Sequence, residues 1–171
     1  DYFGAPTTYA QVREQVLKAA QVLHEAGVRS GDTVAIALPN CPQAFVAFYA
    51  CMRIGAVAAQ HNPLAPASEI AGQLARHGGR VAIVWEKCVD SYPLDVLDTV
   101  FTVDISHGMP MSQRVLLRLP VARARQTRNQ LRGSVPAQTR SWDRATASSA
   151  PIDPNHPLPT GDDRAVILHT S

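Results

Sequence analysis

Residues 31–63 read GDTVAIALPNCPQAFVAFYACMRIGAVAAQHNP, and the punctuation of this stretch decides the fold. Val34 to Leu38 is a short apolar run stopped at once by Pro39-Asn40. It is too short for a helix and lacks the polar alternation of a strand with one wet face, so it reads as a strand buried on both sides. Pro42 then stands where the first turn of a helix tolerates a missing N–H, with Asn40 or Cys41 as its cap. The helix expected over Gln43 to Ile54 is apolar nearly all round (Phe45, Val46, Phe48, Tyr49, Met52), which implies deep burial. Gly55 ends it. A second strand follows in AVAAQHNPL (56–64), closed by Asn62-Pro63. A strand, a buried helix and a strand joined by short turns form a right-handed crossover unit of a parallel sheet.

The pattern extends in both directions. Upstream, Thr8 to Gly27 reads as a helix: Thr8 and Gln11 have capping-box spacing, and Val12, Val16, Ala19, Ala20 and Leu23 recur at helical intervals. Gly27 supplies the left-handed end. Downstream, Ser68 to His77 is a third helix stopped by Gly78-Gly79. Val81 to Trp85 is a third strand and Val100 to Val103 a fourth. The expectation is an α/β fold of three layers, a mostly parallel sheet with helices on both faces, over residues 1–104. Residues 105–140 read as an Arg-rich helical insertion. Residues 141–164 end a Ser-, Thr-, Pro- and Asp-rich stretch, begun near 134, that reads as extended connector. Residues 165–171 are a strand, Ala165 to Leu168, turning polar at His169-Thr170-Ser171.

Composition narrows the class. The chain has 171 residues, 46% of them hydrophobic, enough for one domain with a real core. Cys41, Cys51 and Cys88 show no CxxC spacing, which suits buried thiols in a reducing compartment and not a disulfide framework. No apolar run reaches the length of a membrane span and no signal peptide is visible, so a cytoplasmic location is expected. Charge is segregated: no acidic residue lies between Asp104 and Asp143, whereas seven of the sixteen basic residues do. The rest of the chain holds nine basic against fourteen acidic residues.

Few motifs carry chemistry. The turn at Leu38-Pro39-Asn40 is not GxGxxG, so it offers no close backbone approach to a pyrophosphate and reads as structural. No serine sits in a GxSxG elbow. The six histidines, at 24, 61, 77, 107, 156 and 169, include no i, i+4 pair on a helix, and no metal site is expected. His61-Asn62 reads as a strand-terminating turn, with a site-lining role as the alternative. No catalytic residue is expected within the chain.

Over residues 8–85 the sequence resembles the N-terminal part of the adenylate-forming superfamily: acyl-CoA synthetases, firefly-type luciferases and peptide-synthetase adenylation domains. The resemblance rests on the order and spacing of Thr8-Tyr9, Gly27-Val28, Gly31-Asp32-x-Val34, Leu38-Pro39-Asn40, Gly55-Ala56-Val57 and Asn62-Pro63-Leu64. One departure is Pro66-Ala67, where relatives often carry a Thr capping the third helix. The final AVILHTS (165–171) matches again. In that family such a strand enters a T-S-G-[ST]-T-G-x-P-K-G loop that wraps the phosphates of ATP, and Thr170 and Ser171 would be its first two residues. The resemblance implies a fragment of a bacterial type of fatty-acid–CoA ligase. Such an enzyme uses ATP, Mg and CoA, activating a carboxylate as an acyl-adenylate and then forming a thioester. The start at Asp1 and the stop at Ser171 are expected to be cuts in a longer protein. Because the phosphate loop and the C-terminal domain would follow Ser171, the fragment is expected to be inactive and to bind none of these tightly.

SQRVLLRLPVARARQTRNQLRG (112–133) resembles an insertion found in some fatty-acyl-CoA synthetases. Ser112 is expected to cap a short helix broken at Pro120, with a second piece from Val121 to Leu131. Arg114, Arg118, Arg123 and Arg125 beside an apolar side suit anionic lipid headgroups or an acidic partner. The other reading is a solvated helical pair packed on the parent enzyme. Nucleic acid is not an expected partner, since no aromatics interleave the arginines. Against the ligase fragment stands one alternative, a self-standing α/β interaction module using the Arg-rich stretch as its working surface.

Overall fold

The computed structural model describes residues 1–169. Six strands form one sheet in the order β5-β4-β3-β1-β2-β6. They are β1 (Thr33–Ala37), β2 (Val57–Gln60), β3 (Val81–Trp85), β4 (Thr99–Val103), β5 (Arg140–Ser141) and β6 (Val166–Leu168). Every neighbouring pair is parallel. The helices are α1 (Tyr9–Glu25), α2 (Pro42–Arg53), α3 (Ala67–His77), α4 (Met111–Leu116), α5 (Ala122–Leu131) and α6 (Trp142–Ser148). The expected three layers are present.

The pleat sorts β1 between two cores. Val34 and Ile36 join Ala20 and Leu23 of α1, Ala47 and Cys51 of α2, Phe101 of β4 and Trp142 of α6 on one face. Ala35 and Ala37 meet Ile70 and Leu74 of α3 on the other. Successive strand side chains point to opposite faces, so a central strand must be apolar at every position. Each fully buried Val or Ile here contributes about 1.5–3 kcal/mol. Around this core the local signals act as read. Thr8 and Gln11 make both bonds of the capping box, and Gly27 takes φ +92° after α1. Gly78, in the left-handed region at φ +69°, ends α3. All three cysteines are buried and free.

Several details differ from the sequence reading. Cys41, one of the two caps expected for α2, does stand before it but makes no side-chain capping bond. That helix is not buried all round: Phe45 and Tyr49 are 49% and 45% exposed and touch each other with centroids 4.5 Å apart and planes tilted by 45°. Only one face of α2 meets the sheet, through Val46, Ala47, Ala50 and Cys51, and the i, i+4 aromatic pair falls on the other. Pro110, not Ser112, precedes α4, which starts at Met111.

The largest difference is the connector. At its junction with the Arg-rich segment Arg140 and Ser141 form β5, paired with Phe101 and Thr102 of β4. Then comes α6, capped by the Ser141 hydroxyl, which accepts from the Arg144 amide. Trp142 is only 1% exposed and packs edge-on to Phe101 at 5.4 Å between centroids. Ile152 is buried as well, and its amide donates to the Leu17 carbonyl of α1 at 3.0 Å. A polar, proline-rich composition concealed one tryptophan and one isoleucine that finish the core. Beyond Ile152 the chain is irregular as far as β6.

Candidate functional site

In an all-parallel sheet ligands bind beyond the carboxyl ends of the strands, above all where successive connections diverge. Here the chain leaves β1 towards β2 on one side and lays β3, β4 and β5 on the other. At the β3 side of this divergence the strand end is covered by the protein itself. The Trp85 indole, at the end of β3, donates to the Leu131 carbonyl at the end of α5, at 2.8 Å. Gly133 lies so close that a Cβ there would stand 2.2 Å from the Glu86 carbonyl. Lys87 donates to the Asn129 carbonyl at 2.6 Å. The Leu38-Pro39-Asn40 turn is the structural turn expected of it, with Leu38 buried in the core.

The sheet carries a second site at its other margin. β6 pairs with β2 in the register Ala58↔Val166, Ala59↔Ile167, Gln60↔Leu168. Parallel pairing brings the chain out at the carboxyl edge, and His61 and His169 follow the two strands side by side. Thr170 and Ser171, the expected start of a phosphate loop, lie outside the described residues. The sequence placed a turn at His61-Asn62, and one forms: the Asn62 side-chain oxygen accepts from the Leu64 amide at 3.0 Å. His61 itself points inward and is buried.

Three histidines meet there. The Nε2 atoms of His61 and His77 are 2.9 Å apart, and the His169 ring lies 5.5 Å from that of His61 and 5.9 Å from that of His77. The Gly79 amide donates to His77 Nδ1 at 3.0 Å. Neutral His77 therefore carries its proton on Nε2 and donates it to His61 Nε2. His61 must then hold its own proton on Nδ1, aimed at the Tyr92 hydroxyl oxygen 3.1 Å away. Burial lowers the His61 pKa to about 4, helped by its two histidine neighbours. His77 is lowered for the same two reasons, burial first and His169 second. His61 and His77 therefore stay neutral at physiological pH and can bind a cation or relay a proton. Nothing in the spacing of 61, 77 and 169 announced the cluster, because its members come from β2, α3 and β6 and meet only through the sheet order.

The arginines divide into two kinds. Arg132 pairs with the buried Asp104, whose carboxylate also accepts from the Ser106 amide and hydroxyl at 2.9 and 2.5 Å. Arg128 donates to the Leu117 carbonyl and ties α5 to α4. Beside them, His107 stands 3.3 Å from Asp143, whose hydrogen bond raises the imidazole pKa. These groups hold the Arg-rich segment to the body. Of the four arginines expected to face an anionic surface, Arg118, Arg123 and Arg125 are exposed, while Arg114 is half-buried in a small cleft with Leu117, Arg128 and Leu131. Val115, Leu116, Leu119 and Val121 are exposed in the same segment.

Comparison with known proteins agrees with this architecture. The profile of the family described as "AMP-binding enzyme" matches residues 2–171. The long-chain-fatty-acid–CoA ligase of Bacillus subtilis (strain 168) is 28% identical over 124 residues, 69% of this chain and 22% of that protein. The acetyl-coenzyme A synthetase of Emericella nidulans is 52% identical over 54 residues, 32% of this chain and 8% of that protein. Among solved structures, acetoacetyl-CoA synthetase from Streptomyces lividans superimposes with a TM-score of 0.72 at 24% identity, covering 97% of this chain and 24% of that one. The chain thus spans about a quarter or less of the length of these relatives. With a matching profile over nearly its whole length and the same sheet and helix layers, the chain belongs to the AMP-binding enzyme family.

Proposed function

We propose that this chain is the first part of the large domain of an AMP-forming acyl-CoA ligase whose acid substrate is a fatty acid. The observation that carries the reading is the parallel pairing of β6 with β2. It brings His169 out at the carboxyl edge of the sheet, which supports a phosphate-wrapping loop beginning at Thr170 and Ser171 that serves a nucleotide. The 124-residue match to a long-chain ligase favours a fatty acid, because the acetyl-CoA synthetase match is confined to 54 residues. In the parent enzyme ATP, Mg and CoA are the co-substrates and cofactor, and the location is cytoplasmic.

The described residues do not themselves fit Mg-ATP. Mg²⁺ takes oxygen ligands, whereas the one cluster of three potential metal ligands among the described residues is made of imidazoles. In this reading the donors that stabilise the charge developing on the phosphates during adenylyl transfer belong to the loop that begins at Thr170 and Ser171 and to the rest of the parent enzyme. The 171-residue chain alone is therefore inactive. The test is fatty-acid-dependent exchange of pyrophosphate into ATP. The parent enzyme exchanges with a long-chain acid in preference to acetate, and the isolated chain stays at the no-protein blank. Exchange by the isolated chain, or a parent that accepts only acetate, overturns the reading.

A second reading concerns α4 and α5, where exposed Val115, Leu116, Leu119 and Val121 accompany Arg118, Arg123 and Arg125. Apolar side chains among arginines suit an anionic lipid surface, with each Arg contributing about 1 kcal/mol near the headgroups. This is a peripheral membrane contact. Changing Arg114, Arg118, Arg123 and Arg125 together to Ser abolishes pelleting with anionic vesicles. Unchanged pelleting, or wild-type protein that never leaves the supernatant, removes the membrane and leaves a solvated helical pair.

A further inference from the structure

The structure assigns to His61, His77 and His169 a binding site for a borderline divalent transition metal, with Zn²⁺ the best fit. One ring nitrogen from each lies within 4.8 Å of the others. Tetrahedral Zn²⁺ with Zn–N bonds of about 2.0–2.1 Å holds its nitrogens about 3.3–3.4 Å apart. The 2.9 Å His61–His77 pair must open by a few tenths of an ångström and His169 must close in. Both are side-chain adjustments. A donor set of nitrogen alone suits Zn²⁺, Co²⁺, Ni²⁺ or Cu²⁺ and not Mg²⁺ or Ca²⁺.

Two further observations point to a ligand. His169 Nε2 is buried and has no hydrogen-bond partner among the described residues, a state that native structures rarely leave unexplained. His61 is already oriented: the Tyr92 hydroxyl engages Nδ1 and leaves the Nε2 lone pair facing the cluster. Such an outer partner on the second ring nitrogen accompanies most metal-bound histidines. His77 sets the cost. To ligate through Nε2 its proton must move to Nδ1, which releases the Gly79 amide. The cluster therefore has two states, one bridged by a proton and one by a metal. The ion would tie the ends of β2, α3 and β6 together, and β6 has only three residues with which to hold itself to the sheet. Three protein ligands leave a fourth position open.

The test uses the purified chain with Co²⁺ as spectroscopic probe and Zn²⁺ as competitor. The expected result is one Co²⁺ per chain with the intense visible bands of a tetrahedral nitrogen site and no sulfur-to-metal charge transfer. Zn²⁺ displaces it and raises the melting temperature. H169Q and H77Q each weaken binding by about 100-fold or more and abolish the thermal shift. H156Q, which alters the separate His24–His156 pair with rings 5.2 Å apart, changes neither. Imidazole resonances of the wild-type chain followed by NMR as Zn²⁺ is added decide the matter even where a variant folds poorly. Shifts at His61, His77 and His169 support the site. Shifts confined to His24 and His156, or H77Q and H169Q that bind as tightly as wild type, overturn it.

Discussion

Two regions of this molecule are held together by different forces. In residues 8–103 the cohesion is apolar: strands flanked on both faces, helices with one stripe on the sheet, and caps that satisfy their own backbone. From Met111 to Leu131 the two helices bury little: α4 has no buried residue, α5 has only Ala124, and Leu131 merely borders the core. Those helices are tethered by side chains reaching backbone carbonyls or carboxylates, as Trp85 reaches Leu131, Lys87 reaches Asn129 and Arg132 reaches Asp104. Burial that grows with area gives one cooperative body, whereas a few tethers give an attachment that individual substitutions can release.

The sharpest way to break this comparison is Trp142→Ala, since Trp142 lies by sequence beyond the tethered region and by packing in the core. Loss of so large a buried ring costs about 3–5 kcal/mol, measured by urea denaturation. A cost below about 1 kcal/mol would place α6 outside the cooperative unit. Arg132→Ala comes next, at about 1–3 kcal/mol, because it strips the buried Asp104 of its cation. Hydrogen exchange should show the loss as faster opening of α5 and not of β1. Equal acceleration in both would mean that the segment folds with the body. Leu119→Ala, on an exposed side chain, changes stability by less than about 0.5 kcal/mol. A larger loss would reveal packing for the exposed face of this segment.

Acid and base separate the regions without mutation. The His61 pKa falls from the model-peptide value of 6.5 to about 4 on folding. Its contribution is complete above pH 6.5 and is lost as the pH falls from there towards about 4. The His107 pKa is raised by Asp143. Its contribution is complete below 6.5 and is lost as the pH rises through the folded-state value above that point. Mild acid should accelerate exchange of the His61 amide, bonded to the Ile36 carbonyl. Mild alkali should loosen the attachment around Asp104 and Asp143. Parallel pH responses at both places would contradict the assignment of the shifts.

The same division governs what the sequence discloses. β1, β3 and α1 are legible because a buried parallel strand must be apolar throughout and a capping box is a local object. The burial of α2 is over-read, since an apolar helix has two faces and only the sheet order says which one is covered. α6 is invisible in a stretch of Ser, Thr, Pro and Asp, where a single tryptophan carries the packing. The role expected of Thr170 and Ser171 rests on resemblance alone. The histidine cluster has no local signature, because His61 and His77 meet only where α3 packs beside the end of β2, and His169 joins them only once β6 pairs with β2.

That pairing carries the proposed function, which holds the nucleotide at the β2–β6 margin and not over the end of β3 that α5 covers. Photo-labelling of the full-length protein with an azido analogue of ATP, followed by peptide mapping, tests it directly. The expected label lies in the peptide containing His61 to Ala65 or in the residues that follow Leu168, and excess ATP prevents it. ATP-protected label on the Asn40 to Gln43 turn or on Glu86 to Ser91, with none at the β2–β6 margin, would contradict it.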